Sequence, residues 1–382
     1  MNRRRFVRSG SLSVLLAGCT GTVDTDTPRD DSGGDTGDTG DTGEIACPSL
    51  DGTLEGLLAF VGESSVAVGY YDDEGLDGRY AIDLEALDEE DPTPPVFFVR
   101  TLFPDTLDPE ALWTIDVDGV HWPLDTLPQP TDQGAVLLEC SGNSGSRNFG
   151  LISAGQWSGV RLLDWIEVPD GKRVLIEGYD DHTATSSHST EGCSWVFTEE
   201  DLQDAFLATG LNGEALPQHN GWPVRLVIPG WFGCCCIKWV VRIAFVADTV
   251  DATSQMKEFA SRTHQNGVPD KARDYKPARM QHAAMPIRVE RWSTDEGTVH
   301  RIVGIAWGGE TPTDRLQIRF DDGDWEDVDI CPQMTTNGTW TLWSHRWQPE
   351  PGTFTIRLRV DDAVPQVRLD AGFYERTVTV EA

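Results

Sequence analysis

Positive charge is scarce in this sequence of 382 residues. It contains 30 Lys and Arg against 63 Asp and Glu, which gives a formal net charge of −33 at pH 7. Such a surface repels nucleic acid and anionic lipid. We therefore expect small molecules or basic proteins as partners, and an anionic substrate would need a local cationic pocket.

Long apolar runs are also missing. The run SLSVLLAG near the N-terminus is too short to span a bilayer. It follows the cationic MNRRRFVRSG and ends at Cys19 in LAGC, which resembles a lipoprotein cleavage box, and RRRF resembles a twin-arginine export signal. We expect residues 1–19 to be an export signal and the protein to be a periplasmic or cell-surface lipoprotein anchored at Cys19. An ordinary secretion signal is the alternative.

Apolar residues are nearly absent from the segment 20–46 as well. It begins TGTVDTDTPRDDSGGDTGDTGDTGE and offers almost nothing to bury. Low-complexity sequence of this kind cannot form a packed core. We predict a disordered acidic tether.

Short apolar runs and two candidate helices make up residues 47–285. The runs PVFFVRT, LWTIDVDG, KRVLIEGYD, PVRLVIPG and IKWVVRIAFV are rich in β-branched and aromatic residues and predict strands. Helices are expected at Trp157–Trp165 and at Thr198–Thr209, where Thr198 and Asp201 form a plausible N-cap. The sequence thus predicts an α+β domain.

The segment 286–382 has a different pattern. Apolar and polar residues alternate in VHRIVGIAWGG, DRLQIRFDDGDWEDVDI, TWTLWSHRW, GTFTIRLRVDD and YERTVTVEA, with Gly, Pro and Asp turns between them. This spacing is typical of an all-β sandwich of immunoglobulin type. Cys331 is its only cysteine, so a disulfide across the sandwich is not expected.

Cys140 is the first candidate for chemistry. It lies in LLECSGNSGSRNFG, where the apolar run AVLLE predicts a buried strand and SGNSG predicts a tight loop. A thiolate at such a corner can bind a soft metal. A disulfide or a buried thiol is the alternative that this motif alone leaves open.

Four motifs occur in a fixed order: ECSGN, PVRLVIPGWFGCCCIKWVVRI, DYK and GIAWGG. Their order resembles the sulfite oxidase family of molybdopterin-dependent oxidoreductases, over a stretch from about Leu76 to the C-terminus. The resemblance implies a molybdopterin-binding catalytic domain over residues 47–285 and an immunoglobulin-like dimerisation domain over residues 286–382. It also implies a molybdenum–molybdopterin cofactor.

Three residues carry over from the family to a catalytic site. Cys140 in ECSGN matches the cysteine whose thiolate ligates molybdenum. Trp157 in GQWSGVRL matches a tryptophan of the substrate pocket, although on its own it could equally be a core residue. Tyr275 in ARDYKPAR matches a tyrosine near the metal, whose hydroxyl can donate a hydrogen bond there.

A second group of matching residues is expected to hold the pterin and its phosphate. A dianionic phosphate inside an acidic protein needs fixed cations, and arginine grips phosphate with a planar fork. Turn formation and solvated strand-edge charge are the alternatives that these residue types leave open. The group comprises Arg100, Asp180, Asn220, Arg225, Cys236 and Lys238.

The sequence departs from the family pattern at three places. Arg100 is followed by TLF where the family reads R-N-H, so one cofactor-binding histidine is lacking. The histidine before G-x-P-x-R falls on Asn220, with His219 one place early. The arginine that often follows C-x-G-N is absent, and Arg147 is expected to substitute for it, because the two charges of sulfite need cationic donors.

Cys234, Cys235 and Cys236 stand in a row. On a strand they would point to alternate faces, which argues against a single three-ligand metal site. Cys236 falls where the family backbone meets the pterin. We expect small buried side chains here, with a redox or metal role as the alternative.

Other redox fingerprints are missing, since no C-x-x-C-H haem motif and no flavin or dinucleotide motif occurs. The resemblance then implies oxygen-atom transfer that oxidises sulfite or a related small sulfur compound. Electrons would leave to a separate carrier, such as a basic cytochrome c attracted by the negative surface. The alternatives are a reductase of sulfoxides or another oxyanion on the same cofactor, and a non-catalytic surface binding lipoprotein.

Overall fold

β-Strands dominate the computed structural model of this chain. The structure describes residues 50–63, 70–71, 78–87, 93–94, 96–145, 148–180, 192–313, 315–328, 338–361 and 374–381. These residues belong to one unit, Ile45–Ala382. The predicted export signal with Cys19, the tether 20–46, Arg147 and Cys331 lie outside the described residues.

The described strands and helices are short and closely spaced. The strands of the first part of the chain are β1 (Thr53–Leu58), β2 (Tyr70–Tyr71), β3 (Arg79–Tyr80), β4 (Val99–Arg100), β5 (Thr114–Val117), β6 (Val120–Pro123), β7 (Thr131–Glu139), β8 (Ile152–Arg161), β9 (Lys172–Gly178), β10 (Ser194–Phe197), β11 (Phe206–Leu211), β12 (Glu214–Ala215), β13 (Arg225–Val227) and β14 (Val240–Ala247). Those that follow are β15 (Ala283–Thr294), β16 (Gly297–Trp307), β17 (Leu316–Phe320), β18 (Glu326–Val328), β19 (Thr341–Trp347), β20 (Gly352–Val360) and β21 (Arg376–Val380). The two α-helices among the described residues are α1 (Leu162–Trp165) and α2 (Ser254–Glu258).

Three sheets surround the candidate site. One has the strand order β10-β9-β14-β5-β6, a second has the order β12-β11-β8-β7 with β13 paired to β11, and a small third has the order β2-β3-β4. β7 and β8 pair antiparallel from Thr131–Gly159 to Glu139–Ile152. Their apolar side chains share one core with β9, β11 and β13. The core forms because these strands bury their apolar side chains.

Two four-stranded sheets form the C-terminal part, with the orders β1-β15-β16-β19 and β18-β17-β20-β21. Apolar residues of both sheets, among them Val289, Ile318 and Ile356, share a second core. The predicted strands of this part are confirmed, because alternation with period two suits sheets that bury one face. β1, from the beginning of the described chain, pairs antiparallel with β15. The predicted domain boundary after residue 285 stays a prediction.

The helix predicted at Trp157–Trp165 is confirmed only over Leu162–Trp165, and the helix predicted at Thr198–Thr209 is wrong. Trp157 to Arg161 is the end of β8, and only Leu162–Trp165 is helical. At Thr198 the N-cap does form, because Asp201 N–H donates to Thr198 Oγ1 at 3.1 Å and Thr198 N–H donates to Asp201 Oδ2 at 2.8 Å. It begins only a single 3-10 turn, and the chain then enters β11. The predicted α+β class is therefore corrected to a mostly β fold with few helices.

No helix in the described part of the chain is long and apolar enough to cross a membrane.

Candidate active site

Cys140 directly follows the last residue of β7. Its N–H donates to the carbonyl of Leu151 at 2.9 Å, and its own carbonyl accepts from Asn143 N–H at 2.9 Å, which closes a tight turn. The side chain is buried, and its sulfur accepts from Gly142 N–H at 3.4 Å. The thiol is not part of a disulfide. The predicted strand and loop around Cys140 are confirmed.

The carboxylate of the neighbouring Glu139 holds this turn in place by hydrogen bonds. Asn143 Nδ2 donates to Glu139 Oε1 at 3.4 Å, and Asn143 Oδ1 accepts from Leu151 N–H at 3.1 Å. The Glu139 carboxylate also accepts from Trp307 Nε1 at 3.1 Å and from the Tyr374 hydroxyl at 2.7 Å. Both of these donors belong to the C-terminal part, so it helps to hold the Cys140 turn in place.

A second turn, Gly233 to Cys236, lies beside the end of β7. Gly233 N–H donates to the carbonyl of Glu139 at 2.7 Å, and Cys236 N–H donates back to Gly233 at 3.2 Å. The carbonyl of Cys236 accepts from Arg225 Nη2 at 3.0 Å. One chain of contacts therefore leads from the residue before Cys140 to Arg225.

Arg225 is the centre of a buried cationic cluster. Its Nη1 donates to the carbonyl of Asn220 at 2.8 Å, and Asn220 in turn donates from Nδ2 to Phe98 at 3.0 Å. Burial lowers the pKa of Arg225 to about 10. Its Nε is buried without a hydrogen-bond partner among the described residues. A buried cation with an unused donor is suited to an anionic group of a ligand.

Lys238 joins two loops to this cluster. Its Nζ donates to the carbonyls of Arg100 at 3.0 Å, Thr101 at 2.6 Å and His219 at 2.9 Å. An ammonium has three donors, so these carbonyls occupy all of them. Burial, followed by the charge of Arg225, lowers the pKa of Lys238 well below its ordinary value. Lys238 therefore acts on a bound anion through its charge and through the loops that it holds.

Asp180 and His219 complete the surroundings of Lys238. Asp180 is buried, and its charge favours the protonated form of Lys238. The ring Nδ1 of His219 accepts from Phe103 N–H at 2.9 Å, and burial followed by the charge of Lys238 lowers its pKa. The six predicted cofactor residues are thus brought together, with three cations, Arg100, Arg225 and Lys238, against one carboxylate.

Gly221 leaves the space that this cluster needs. It has a φ of +116°, and a β-carbon added there would lie 2.8 Å from Arg225 Cβ and 3.3 Å from Lys238 Cβ. Any larger residue would have to displace one of the two cations. The cluster therefore fits a compact anion such as a phosphate held against glycine backbone.

Arg262 is a further cation at the site that the sequence did not reveal. A β-carbon added at Gly142 would lie 3.5 Å from Arg262 Nη1 and 4.0 Å from Cys140 Sγ. The next residue, Thr263, shares a hydrogen bond through Oγ1 with the hydroxyl of Tyr275. Burial raises the pKa of Tyr275 above its ordinary value, so its hydroxyl stays protonated at neutral pH. Two of the predicted catalytic residues are thus linked through Arg262 and Thr263.

Trp157 lies in the core beside the cationic cluster. Its side chain is 1% exposed, its Nε1 donates to the carbonyl of Val136 at 3.0 Å, and the guanidinium carbon of Arg225 is 5.6 Å from its ring centroid. It packs edge-on against Phe97, with 5.3 Å between ring centroids. In this position the indole ring packs against the guanidinium of Arg225 and helps to hold it in place. Its predicted contact with substrate stays a prediction.

The donor atoms suit one kind of metal site. Among the described residues there is no group of three or more His, Cys, Asp or Glu that could hold a metal ion. A molybdenum at Cys140 would take one sulfur from the protein and further ligands from its organic cofactor. The nearby cations and the unused Arg225 donor would bind the anionic part of such a cofactor.

The chain matches known proteins over this region. Residues 102–254 match the family described as oxidoreductase molybdopterin binding domain, a range that contains Cys140 and Arg225 but neither Arg100 nor Tyr275. Mitochondrial sulfite oxidase of Mus musculus is 27% identical over 293 residues, which are 66% of this chain and 52% of that protein. The enzyme of Homo sapiens is 31% identical over 187 residues, 42% of this chain and 34% of that protein.

A plant enzyme and a solved structure also match this chain. NADH nitrate reductase of Spinacia oleracea is 29% identical over 159 residues, 34% of this chain and 17% of that protein. The crystal structure of the sulfane dehydrogenase SoxCD from Paracoccus pantotrophus matches with a TM-score of 0.56 and 19% identity, covering 77% of this chain and 79% of that one. This last likeness concerns the fold. The chain spans about half the length of the curated sulfite oxidases that it matches.

Proposed function

We propose that this chain belongs to the sulfite oxidase family of molybdopterin-dependent oxidoreductases and that it oxidises sulfite or a related small sulfur compound by oxygen-atom transfer, a proposal supported by the matches over residues 102–254 and to the sulfite oxidases. Cys140 would ligate the molybdenum of the cofactor. The observation that carries the proposal is that one chain of contacts joins the Cys140 turn to the buried cations around Arg225. A metal-binding thiolate and a phosphate site are the two ends that a molybdopterin must reach.

The cofactor supplies the oxygen-atom transfer and accepts two electrons when it is bound. Arg225 and Lys238 would hold its phosphate by charge, and Arg100 and Asp180 would contribute to the pterin site. The Gly142 N–H that donates to Cys140 Sγ stabilises negative charge on that sulfur. This contact therefore favours the thiolate that a metal needs.

The substrate anion would lie between Arg262 and Tyr275. Arg262 is placed to hold an oxyanion next to Cys140, in the role that the sequence assigned to Arg147. The Tyr275 hydroxyl keeps its proton. Because the Thr263 hydroxyl donates to the carbonyl of Phe259 at 2.8 Å, it accepts from the Tyr275 hydroxyl, and this bond orients the ring. An oxygen of the substrate would replace Thr263 as the acceptor of that proton. Arg262 would thus take the place of the arginine that follows C-x-G-N in the family and is absent from this sequence.

The remaining parts of the proposal concern partners and location. The two C-terminal sheets are assigned to an immunoglobulin-like sandwich that pairs two protomers, supported by their shared core. Electrons would pass singly to a basic cytochrome c, which the net charge of −33 attracts. Export by the twin-arginine route and a lipid on Cys19 rest on the N-terminal sequence. The lipid on Cys19 would attach the protein to a membrane.

The test is sulfite-dependent reduction of cytochrome c or ferricyanide by protein matured in a host with the cofactor pathway. We expect activity in the wild type, no activity in Cys140→Ser, and wild-type activity in Cys193→Ser, a matched change at a thiol away from Cys140. A molybdenum-loaded wild type that reduces sulfoxides or nitrate with an electron donor, but does not oxidise sulfite, would indicate the reverse reaction. Loaded protein that does neither would contradict the proposal.

A further inference from the structure

Two adjacent cysteines have their sulfur atoms in contact. The Sγ atoms of Cys234 and Cys235 are 3.7 Å apart. On a strand, neighbouring side chains would point to opposite faces, but Cys234 and Cys235 do not lie in a strand. Cys235 N–H donates to the carbonyl of Phe232 at 3.0 Å, so the chain makes a turn and both thiols fall on one side.

The two thiols differ in access to solvent. Cys234 is half-buried and Cys235 is fully buried, with 0% of its surface exposed. Burial raises the pKa of Cys235 well above its ordinary value. Cys234 is therefore the thiol that a reagent from solvent meets first, and Cys235 is the one that can resolve the product from within.

We propose that Cys234 and Cys235 are a vicinal dithiol, a site of reversible oxidation by compounds that contain a disulfide bond. The Cys234 thiolate attacks one sulfur of such a compound, forms a mixed disulfide and releases the first thiol. Cys235 then gives up its proton and attacks Cys234, which forms the Cys234–Cys235 bond and releases the second thiol. Two protein S–H bonds and one external disulfide become one protein disulfide and two external thiols.

This disulfide would be easy to reduce. Neighbouring α-carbons are about 3.8 Å apart across a trans peptide. Most disulfides need about 4.4 to 6.8 Å between their α-carbons, so a bond between adjacent residues is strained. Strained disulfides are the labile ones that follow the redox state of their surroundings. The site is therefore suited to switching and poorly suited to permanent cross-linking.

The turn that would change shape lies between the two halves of the active site. Gly233 donates to the carbonyl before Cys140, and the carbonyl of Cys236 accepts from Arg225. Tyr275 is near enough that a charge on either thiol affects its pKa. Closing the ring at Cys234 and Cys235 would shift backbone that positions both Cys140 and Arg225.

The experiment equilibrates the purified protein with glutathione disulfide and glutathione at several ratios, alkylates it under denaturing conditions and maps its tryptic peptides by mass spectrometry. The peptide Leu226–Lys238 contains all three cysteines of the row. We expect a form two hydrogen atoms lighter with a single alkyl group on Cys236, growing with the oxidised fraction and lost after dithiothreitol. Three alkyl groups at every ratio, or a lasting mixed disulfide with glutathione, would overturn the proposal.

Variants separate this pair from the other thiols. Cys234→Ser should abolish the lighter form, and Cys193→Ser should leave it unchanged. A cross-linked peptide that joins Cys193 to the row would also overturn the proposal. The disulfide is detected whether or not the protein carries molybdopterin or oxidises sulfite, so the outcome is independent of the proposed function.

Discussion

The carboxylate of Glu139 accepts a hydrogen bond from the indole of Trp307, with 3.1 Å between Oε2 and Nε1. Glu139 is the last residue of β7 and Trp307 is the last residue of β16. The contact joins the strand that presents Cys140 to the C-terminal sheets. It shows how a part of the chain far away in sequence can determine the position of the candidate metal ligand.

Glu139→Gln should destabilise the protein. The N–H₂ group of glutamine would face either Trp307, which now donates to Oε2, or Tyr374 and Asn143, which now donate to Oε1. Leaving such buried donors unsatisfied costs about 1–3 kcal/mol. Urea unfolding measures the loss, with Glu214→Gln on the exposed β12 as the control. A change within about 0.5 kcal/mol of that control would contradict the assigned role.

Gly221→Ala should reduce both stability and molybdenum content. The φ of +116° is strained for alanine, and its β-carbon would meet Arg225 Cβ at 2.8 Å. Such backbone strain costs about 1–3 kcal/mol. Gly213→Ala is the control, since Gly213 has a φ of +78° but nothing within 4 Å. Calorimetry and metal analysis should show a larger loss at Gly221, and equal losses would argue against a crowded cradle.

The stability contributed by Cys236 should disappear at high pH. Burial raises the pKa of this thiol from 9.0 to about 11, so the folded chain keeps a proton that the unfolded chain releases. The stabilisation is therefore complete below pH 9 and is lost as the pH rises to about 11, by at most about 1.4 kcal/mol per pH unit. Unfolding of wild type and Cys236→Ala across this range measures the difference in free energy. A difference that stays constant with pH would contradict the buried thiol.

Arg262→Gln should weaken sulfite binding more than turnover. A charged hydrogen bond contributes about 1.5–3 kcal/mol, so the KM for sulfite should rise about 10- to 100-fold while kcat changes less. Arg262→Lys should restore part of the affinity, because it keeps the charge but not the planar fork. Arg273→Gln, at an exposed arginine paired with Asp248, is the control. An unchanged KM at full molybdenum loading would remove Arg262 from the substrate site.

Strands were predictable from this sequence where a single local pattern decides them. β20 alternates buried and partly exposed residues from Ile356 to Val360, and the structure confirms this strand together with β16 and β19. β8 was missed because Trp157 and Val160 are three residues apart, a spacing that also fits one face of a helix. This segment is a strand because it pairs with β7 and β11, and the pairing with β11 involves residues that are distant in sequence.

The residues of the candidate site also differ in how far the sequence predicts them. Motif order located Cys140, Arg225 and Lys238, because each stands in a distinctive local sequence. Arg262 ends the 3-10 turn Ala260–Arg262, which carries no motif, and its approach to Gly142 arises only from folding over more than a hundred residues. The contact between Cys234 and Cys235 was missed for a related reason, since it depends on the turn that the chain makes at these residues.

The most direct test of the central claim is the number of sulfur atoms bound to molybdenum, measured by X-ray absorption on the loaded protein. Wild-type protein should contain about one molybdenum per chain, and Cys140→Ser protein that retains the metal should show one sulfur neighbour fewer. The Cys193→Ser control should match the wild type. An equal sulfur count in Cys140→Ser and wild type, or properly matured protein without molybdenum, would contradict ligation by Cys140.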